Sequence, residues 1–184
     1  MEVEKLRKVY DVDVRWAPFL LDPSIPPEGR TREPYTKPGD PPSPLELRGQ
    51  QAGITFKRGR TYTPNSHLSL ETAEYAQENG HDGDELHRAL FRTHFEEDGN
   101  IGDLDTLLQI GGDTGLDVDD LRDALETGRY RQQVDNGIAW AQAVGVTGVP
   151  TFIINERYAV VGAQEYEIFE RVMEQLNVPK LNGE

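Results

Sequence analysis

Cysteine is absent from all 184 residues of this chain. That excludes disulfides, thiolate metal sites and any thiol nucleophile of the chain's own. Of its 19 basic residues only five are lysine (Lys5, Lys8, Lys37, Lys57 and Lys180), and the other 14 are arginine. No apolar run approaches the roughly 20 residues a membrane helix needs. The start, Met1-Glu2-Val3-Glu4-Lys5, lacks the apolar stretch of a secretory signal, so a cytoplasmic protein without a membrane partner is expected. What is abundant is acid: 33 acidic residues give a net charge of −14, which repels a phosphate backbone and argues against nucleic acid as partner. Such acidity suits a salty cytoplasm that screens charge, and equally an ordinary acidic cytosolic protein.

The hydrophobic pattern divides the chain into stretches of different character. Val3, Leu6 and Val9 mark a short amphipathic helix without a visible cap. Asp11-Val12-Asp13-Val14-Arg15-Trp16 alternates with period two, which predicts a half-buried strand. Between Pro18 and Pro64 lie ten of the twelve prolines, so a long irregular excursion is expected, with one short helix near Leu45–Gln51. From Asn65 five helices follow. The first is capped by Asn65 or Ser66 and stops near Gly80, and the second runs from about Gly83 to Phe95. The third and fourth are capped by Asp103 and Asp117 and end by Gly115 and at Gly128. The fifth runs from about Tyr130 to Val144 before Gly145. Thr151–Ile154 and Tyr158–Val161 then read as a hairpin around Asn155-Glu156-Arg157. A last helix places Phe169, Val172, Met173 and Leu176 on one face. The pattern predicts a sheet of three strands against helices.

Several chemistries lack their residues. His87 and His94 are two helical turns apart, about 10 Å along the axis, too far to share a metal, and no His-Glu-x-x-His is present. Asp117, Asp119, Asp120 and Asp123 miss the glycine and glutamate of an EF-hand loop, and fit a capped helix start. No serine sits in a Gly-x-Ser-x-Gly frame, and Gly111-Gly112 lacks the Lys-Ser/Thr pair of a phosphate loop. Tyr130, Trp140 and Phe152 are candidates for a substrate groove or for core. No cofactor motif is present.

Four stretches carry a family resemblance. Gly145-Val146-Thr147-Gly148-Val149-Pro150-Thr151-Phe152 resembles the loop that introduces the cis-proline strand of DsbA-family thioredoxin-fold proteins. Tyr158-Ala159-Val160-Val161-Gly162-Ala163-Gln164 is similar to the hairpin and turn of the FrnE-like branch, related to the 2-hydroxychromene-2-carboxylate isomerases. Val14-Arg15-Trp16-Ala17-Pro18-Phe19, with Leu21, Pro23 and Ile25-Pro26-Pro27-Glu28-Gly29, resembles that branch's second strand and following loop. Leu86–Phe91 and Asn100–Asp103 resemble its helical insertion. The implied fold is α/β, a thioredoxin-like sheet with an inserted helical domain. Residues 1–64 and 145–184 would form the thioredoxin-fold parts and 65–144 the insertion.

The resemblance implies a thiol–disulfide oxidoreductase or disulfide isomerase. The family's first strand and its Cys-x-x-Cys motif precede everything matched here, and without a thiolate this polypeptide cannot perform the exchange. The resemblance further implies a cis Val149–Pro150 bond, and makes Val149, Pro150 and Thr151 the start of a strand that pairs with an extended polypeptide or thiol substrate. Two other functions stay open: a non-catalytic peptide-binding module, and a glutathione-dependent isomerase of the chromene-carboxylate branch. A sheet lacking its first strand exposes an apolar edge, so the chain is expected to be marginally stable or to form a homodimer through it.

Overall fold

In a computed structural model the structure describes residues 2–81 and 83–181. The elements are α1 Glu2–Val9, β1 Arg30–Thr31, α2 Pro44–Gln51, β2 Tyr62–Thr63, α3 His67–Glu78, α4 Gly83–Phe95, α5 Leu104–Asp113, α6 Val118–Thr127, α7 Arg131–Ala143, β3 Thr151–Ile154, β4 Tyr158–Val161 and α8 Tyr166–Gln175. By its contacts the chain divides into two compact units. One joins the chain up to Leu21 to the part from Ala139 onward, and the other is Asp22–Ile138. No helix among the described residues is long and apolar enough to cross a membrane.

The helical unit follows its caps. Asp103 begins α5 by accepting from the Thr106 N–H at 2.9 Å, and Asp117 begins α6 by accepting from Asp119 and Asp120. Each carboxylate satisfies amide donors that have no intrahelical partner. At α3 the side-chain acceptor is Asn65, whose Oδ1 takes the His67 N–H at 2.8 Å, whereas Ser66 makes no cap bond. Gly128 ends α6 at φ 66°, a left-handed conformation that costs a glycine little. Helices α3 to α6 close over one core that includes Tyr75, Leu86, Leu107, Leu121, Leu125 and Tyr130. Tyr75 and Tyr130 pack edge to face, with centroids 5.9 Å apart. Gly111, inside α5, leaves room for Leu121: a Cβ there would lie 2.6 Å from Leu121 Cδ2.

The proline-rich excursion is ordered, and it packs with the helices: Asp22–Ile138 is one unit, although the sequence groups residues 22–64 with the N-terminal part. Named bonds hold it there. Asn65 Nδ2 donates to the Ile25 carbonyl, the Lys57 N–H to the Phe95 carbonyl, and Phe56 meets Phe95 edge to face at 5.6 Å. Helix α2 has a full capping box, Ser43 with Glu46. Arg58 grips Glu46 at 2.7 and 3.1 Å. The Ser43 N–H and then Arg58 hold the Glu46 carboxyl below its usual range. A sheet that the sequence does not predict, β1 with β2, pairs Arg30 with Thr63 and Thr31 with Tyr62.

The expected strand over Asp11–Trp16 does not form. Its alternation is real, since Val12, Val14 and Trp16 are half-buried while Asp11, Asp13 and Arg15 are exposed. No strand lies beside it among the described residues, and extended backbone without a partner makes no ladder. Pairing in this region is confined to the bridge between Tyr10 and Lys180, flanked by bonds from Asp11 N–H to Pro179 and from Leu181 N–H to Val9. The expected three-stranded sheet is therefore corrected, among the described residues, to two separate two-stranded ones.

Two predictions follow from the helical unit. Leu121→Ala opens a cavity in a fully buried position and should cost about 3 kcal/mol in chemical denaturation. Gly111→Ala should also destabilise the wild-type background, and the double variant should lose less than the sum, because truncating Leu121 frees the space the new methyl needs. Strict additivity would contradict the packing described. The second concerns His94, whose ring nitrogens lie 3.1 and 3.2 Å from Arg60 Nη2. Burial, then the Arg60 charge, lowers its pKa from 6.5 to about 4. In that window the unfolded chain binds a proton at His94 that the folded chain does not. The contribution is therefore complete above pH 6.5 and is lost as pH falls toward 4. Melting temperatures recorded across that range should fall less steeply for His94→Asn than for wild type.

Candidate functional site

The segment that ends α7 and enters β3 is built from local bonds. The Val146 N–H returns to the Ala141 carbonyl at 2.9 Å and the Gly145 N–H to Gln142 at 3.0 Å, which closes the helix. Thr151 Oγ1 donates to the Gly148 carbonyl at 2.7 Å and folds the loop back on the strand start. The Val149–Pro150 peptide bond is cis. The Gly162 N–H donates to the Pro150 carbonyl at 2.8 Å, so that carbonyl faces β4.

Strands β3 and β4 pair antiparallel, Thr151 with Val161 through Ile154 with Tyr158. Asn155 and Glu156, at φ 50° and 56°, make the left-handed turn between them. One face of the hairpin carries Phe152, Ile154 and Val160, which pack with Phe169 and Met173 of α8 and with Leu6 and Tyr10. Phe152 meets Phe169 edge to face at 4.8 Å. The other face, Thr151, Ile153, Ala159 and Val161, joins Val144–Thr147 around a shallow depression of about 60 Å³. Because backbone groups alternate along a strand, the N–H and C=O of Thr151 point away from β4. Among the described residues no strand pairs on that side. Val149 stands at this corner 57% exposed.

The arrangement offers backbone donors and acceptors, an apolar face and the hydroxyls of Thr147 and Thr151, the latter already spent on Gly148. The residues that line the depression carry no acid, base or thiol.

The other candidates lie elsewhere. Tyr130 is core in the helical unit and Phe152 is core beneath the hairpin, while Trp140 is exposed. Gly111 and Gly112 are helical. Of the aspartates after Asp117, two are engaged by Arg129, which reaches Asp120 at 2.9 Å and Asp123 at 2.7 Å. His87 Nδ1 bonds the Gly83 carbonyl at 2.6 Å, and burial lowers its pKa.

Two constellations escape sequence reading. In α3, Glu71 and Glu74 are buried in spite of their charge. His67 lies between Glu71 at 3.1 Å and Asp135 at 3.0 Å, Arg131 is 3.7 Å from Glu71, and Gln133 donates to Glu74 at 2.6 Å. The i, i+4 and i+3 spacing of His67, Glu71 and Glu74 was the available signal. The second is an arginine-rich ribbon in the excursion, marked in sequence by Arg30-Thr31-Arg32 and Arg58-Gly59-Arg60.

Comparison with known proteins agrees with this architecture. The family model for the DSBA-like thioredoxin domain matches residues 1–174. An uncharacterized protein of Bacillus subtilis, YwbO, is 30% identical over 175 residues, covering 92% of this chain and 85% of that protein. The crystal structure of a probable DsbA oxidoreductase from Streptomyces coelicolor, SCO1869, superposes with a TM-score of 0.64 at 26% identity. That match covers 71% of this chain and spans only 56% of the other. Hairpin, packing helices, helical insertion and family match agree, and the chain belongs to the DsbA-like thioredoxin-domain family.

Proposed function

We propose that this chain serves thiol–disulfide exchange of the DsbA type, in the FrnE-like branch, as the part that holds an extended polypeptide substrate. The observation that carries this reading is the open edge of β3. Thr151 turns its backbone N–H and C=O outward with no strand on that side among the described residues, beside the exposed Val149. An extended peptide can add there as a further strand. Apolar side chains at alternate positions of such a peptide suit the face formed by Ile153, Ala159 and Val161. Val149, Pro150 and Thr151 then form the start of the substrate-facing strand. The similarity to a probable DsbA oxidoreductase supports the reaction class.

The 184 residues contain no thiolate to attack a disulfide, so they contribute binding and no electron transfer. In an insulin-reduction assay with dithiothreitol, this chain should leave the turbidity curve at its uncatalysed rate. Acceleration would overturn the redox-silent assignment. Binding is tested separately by fluorescence anisotropy with a labelled peptide of alternating valine and threonine. Val149→Asp sets a charge at the edge and should weaken the complex about tenfold with an unchanged melt. Equal affinity in the variant, or a wild type that dimerises and takes up no peptide, would reject the edge as a substrate site.

A further inference from the structure

Residues 22–64 carry seven basic side chains (Arg30, Arg32, Lys37, Arg48, Lys57, Arg58 and Arg60) against five acidic ones, a local +2 in a chain of −14. Most of the arginines that flank the β1–β2 sheet meet carboxylates. Arg30 reaches Asp22 at 3.5 Å, Arg58 reaches Glu46 at 2.7 Å, and Arg60 reaches Asp98 at 2.8 Å. Arg32 differs from them: among the described residues it meets no carboxylate. Its Nε donates to Thr63 Oγ1 at 2.9 Å, its Nη1 to the Glu33 carbonyl at 3.0 Å, and the Tyr35 ring lies 4.0 Å from its Cζ.

We propose that Arg32 is the anchor of a binding site for a small oxyanion, a carboxylate or phosphate group, between the Tyr35 platform and the β1–β2 sheet. Three neutral neighbours fix the guanidinium without neutralising it, and Nη2 makes none of the bonds just named. A guanidinium stays charged at any physiological pH and donates in a fixed plane, so little entropy remains to be lost when an oxyanion arrives. Tyr35 is 86% exposed, and Arg32 Cζ lies 4.0 Å from its ring centroid, so the ring steadies the guanidinium while the site stays open to solvent. The field nearby is positive as well. The charges of Arg32 and Arg60 both act on the His94 ring, and Asp98, whose carboxylate acts on it in the opposite sense, is already held by Arg60. The net charge of the whole chain repels polyanions, which restricts the ligand to a small group seated directly on the guanidinium.

The test titrates the full chain with inorganic phosphate and, separately, with acetate, followed by calorimetry and by the His94 ring signals in NMR. Either anion should bind, and the preferred one identifies the group. Bound anion should raise the His94 pKa from its low value, because it offsets the arginine field. Arg32→Gln should weaken binding about tenfold or more, the loss of one charge-assisted donor. Arg30→Gln, whose guanidinium is occupied by Asp22 and Ser24, should bind as wild type. Should Arg32→Gln fold poorly, Tyr35→Ala alters an exposed side chain and should weaken binding with an unchanged melt. No binding of either anion, or equal binding by wild type, Arg32→Gln and Tyr35→Ala, would overturn the proposal.

Discussion

The edge-to-face packing of Phe152 on Phe169 is the contact on which the candidate site depends. A hairpin of two four-residue strands is at best marginal in water by itself. Here Phe152, Ile154 and Val160 anchor it to α8 and to Leu6 and Tyr10 of the N-terminal helix region. Because residues alternate, burying that face obliges Thr151, Ile153, Ala159 and Val161 to look outward. The antiparallel register with β4 satisfies one edge of β3, and among the described residues no strand pairs with the other, which begins at Thr151. Site geometry is thus a consequence of core packing.

The helical unit solves a different problem. A stretch with nine prolines, residues 22–64, cannot build long ladders or long helices, since each proline removes a donor and constrains its predecessor. It is held instead by side chains. Asn65 takes the Ile25 carbonyl, Arg58 clamps Glu46, and Arg60 reaches across to Asp98 and His94. Arginine's planar fork can meet several acceptors at once, which accounts for the placement of arginine at these joints. The same economy applies beneath α3, where His67 and Arg131 approach Oε1 of the buried Glu71 and Gln133 donates to the buried Glu74.

Much of this was legible in sequence because it is local. Asp103 and Asp117 open their helices and Gly128 closes one, each through groups within four residues of the helix end. The strands of the β3–β4 hairpin fall where the β-branched runs and the Asn155-Glu156 turn place them. The proline context around Val149 marked the strand start. The Asp11–Trp16 segment was misjudged for an instructive reason: alternation reports which side chains are buried, and says nothing of whether a second strand lies alongside. Strands β1 and β2 were invisible because two residues carry no period, and their pairing joins positions more than thirty apart in sequence.

The amino-acid sequence by itself determined the lack of cysteine in these 184 residues, the acidity, the helix limits and the family, since each follows from composition or from residues adjacent in the chain. Tertiary structure alone decided which edge of β3 pairs with β4, which carboxylates are buried and, among the described residues, which arginines beside the β1–β2 sheet meet carboxylates. Those outcomes depend on what packs beside a residue from a distant part of the chain. Arg30 and Arg32 are the same residue two positions apart, and the fold supplies Asp22 to one and only neutral partners to the other.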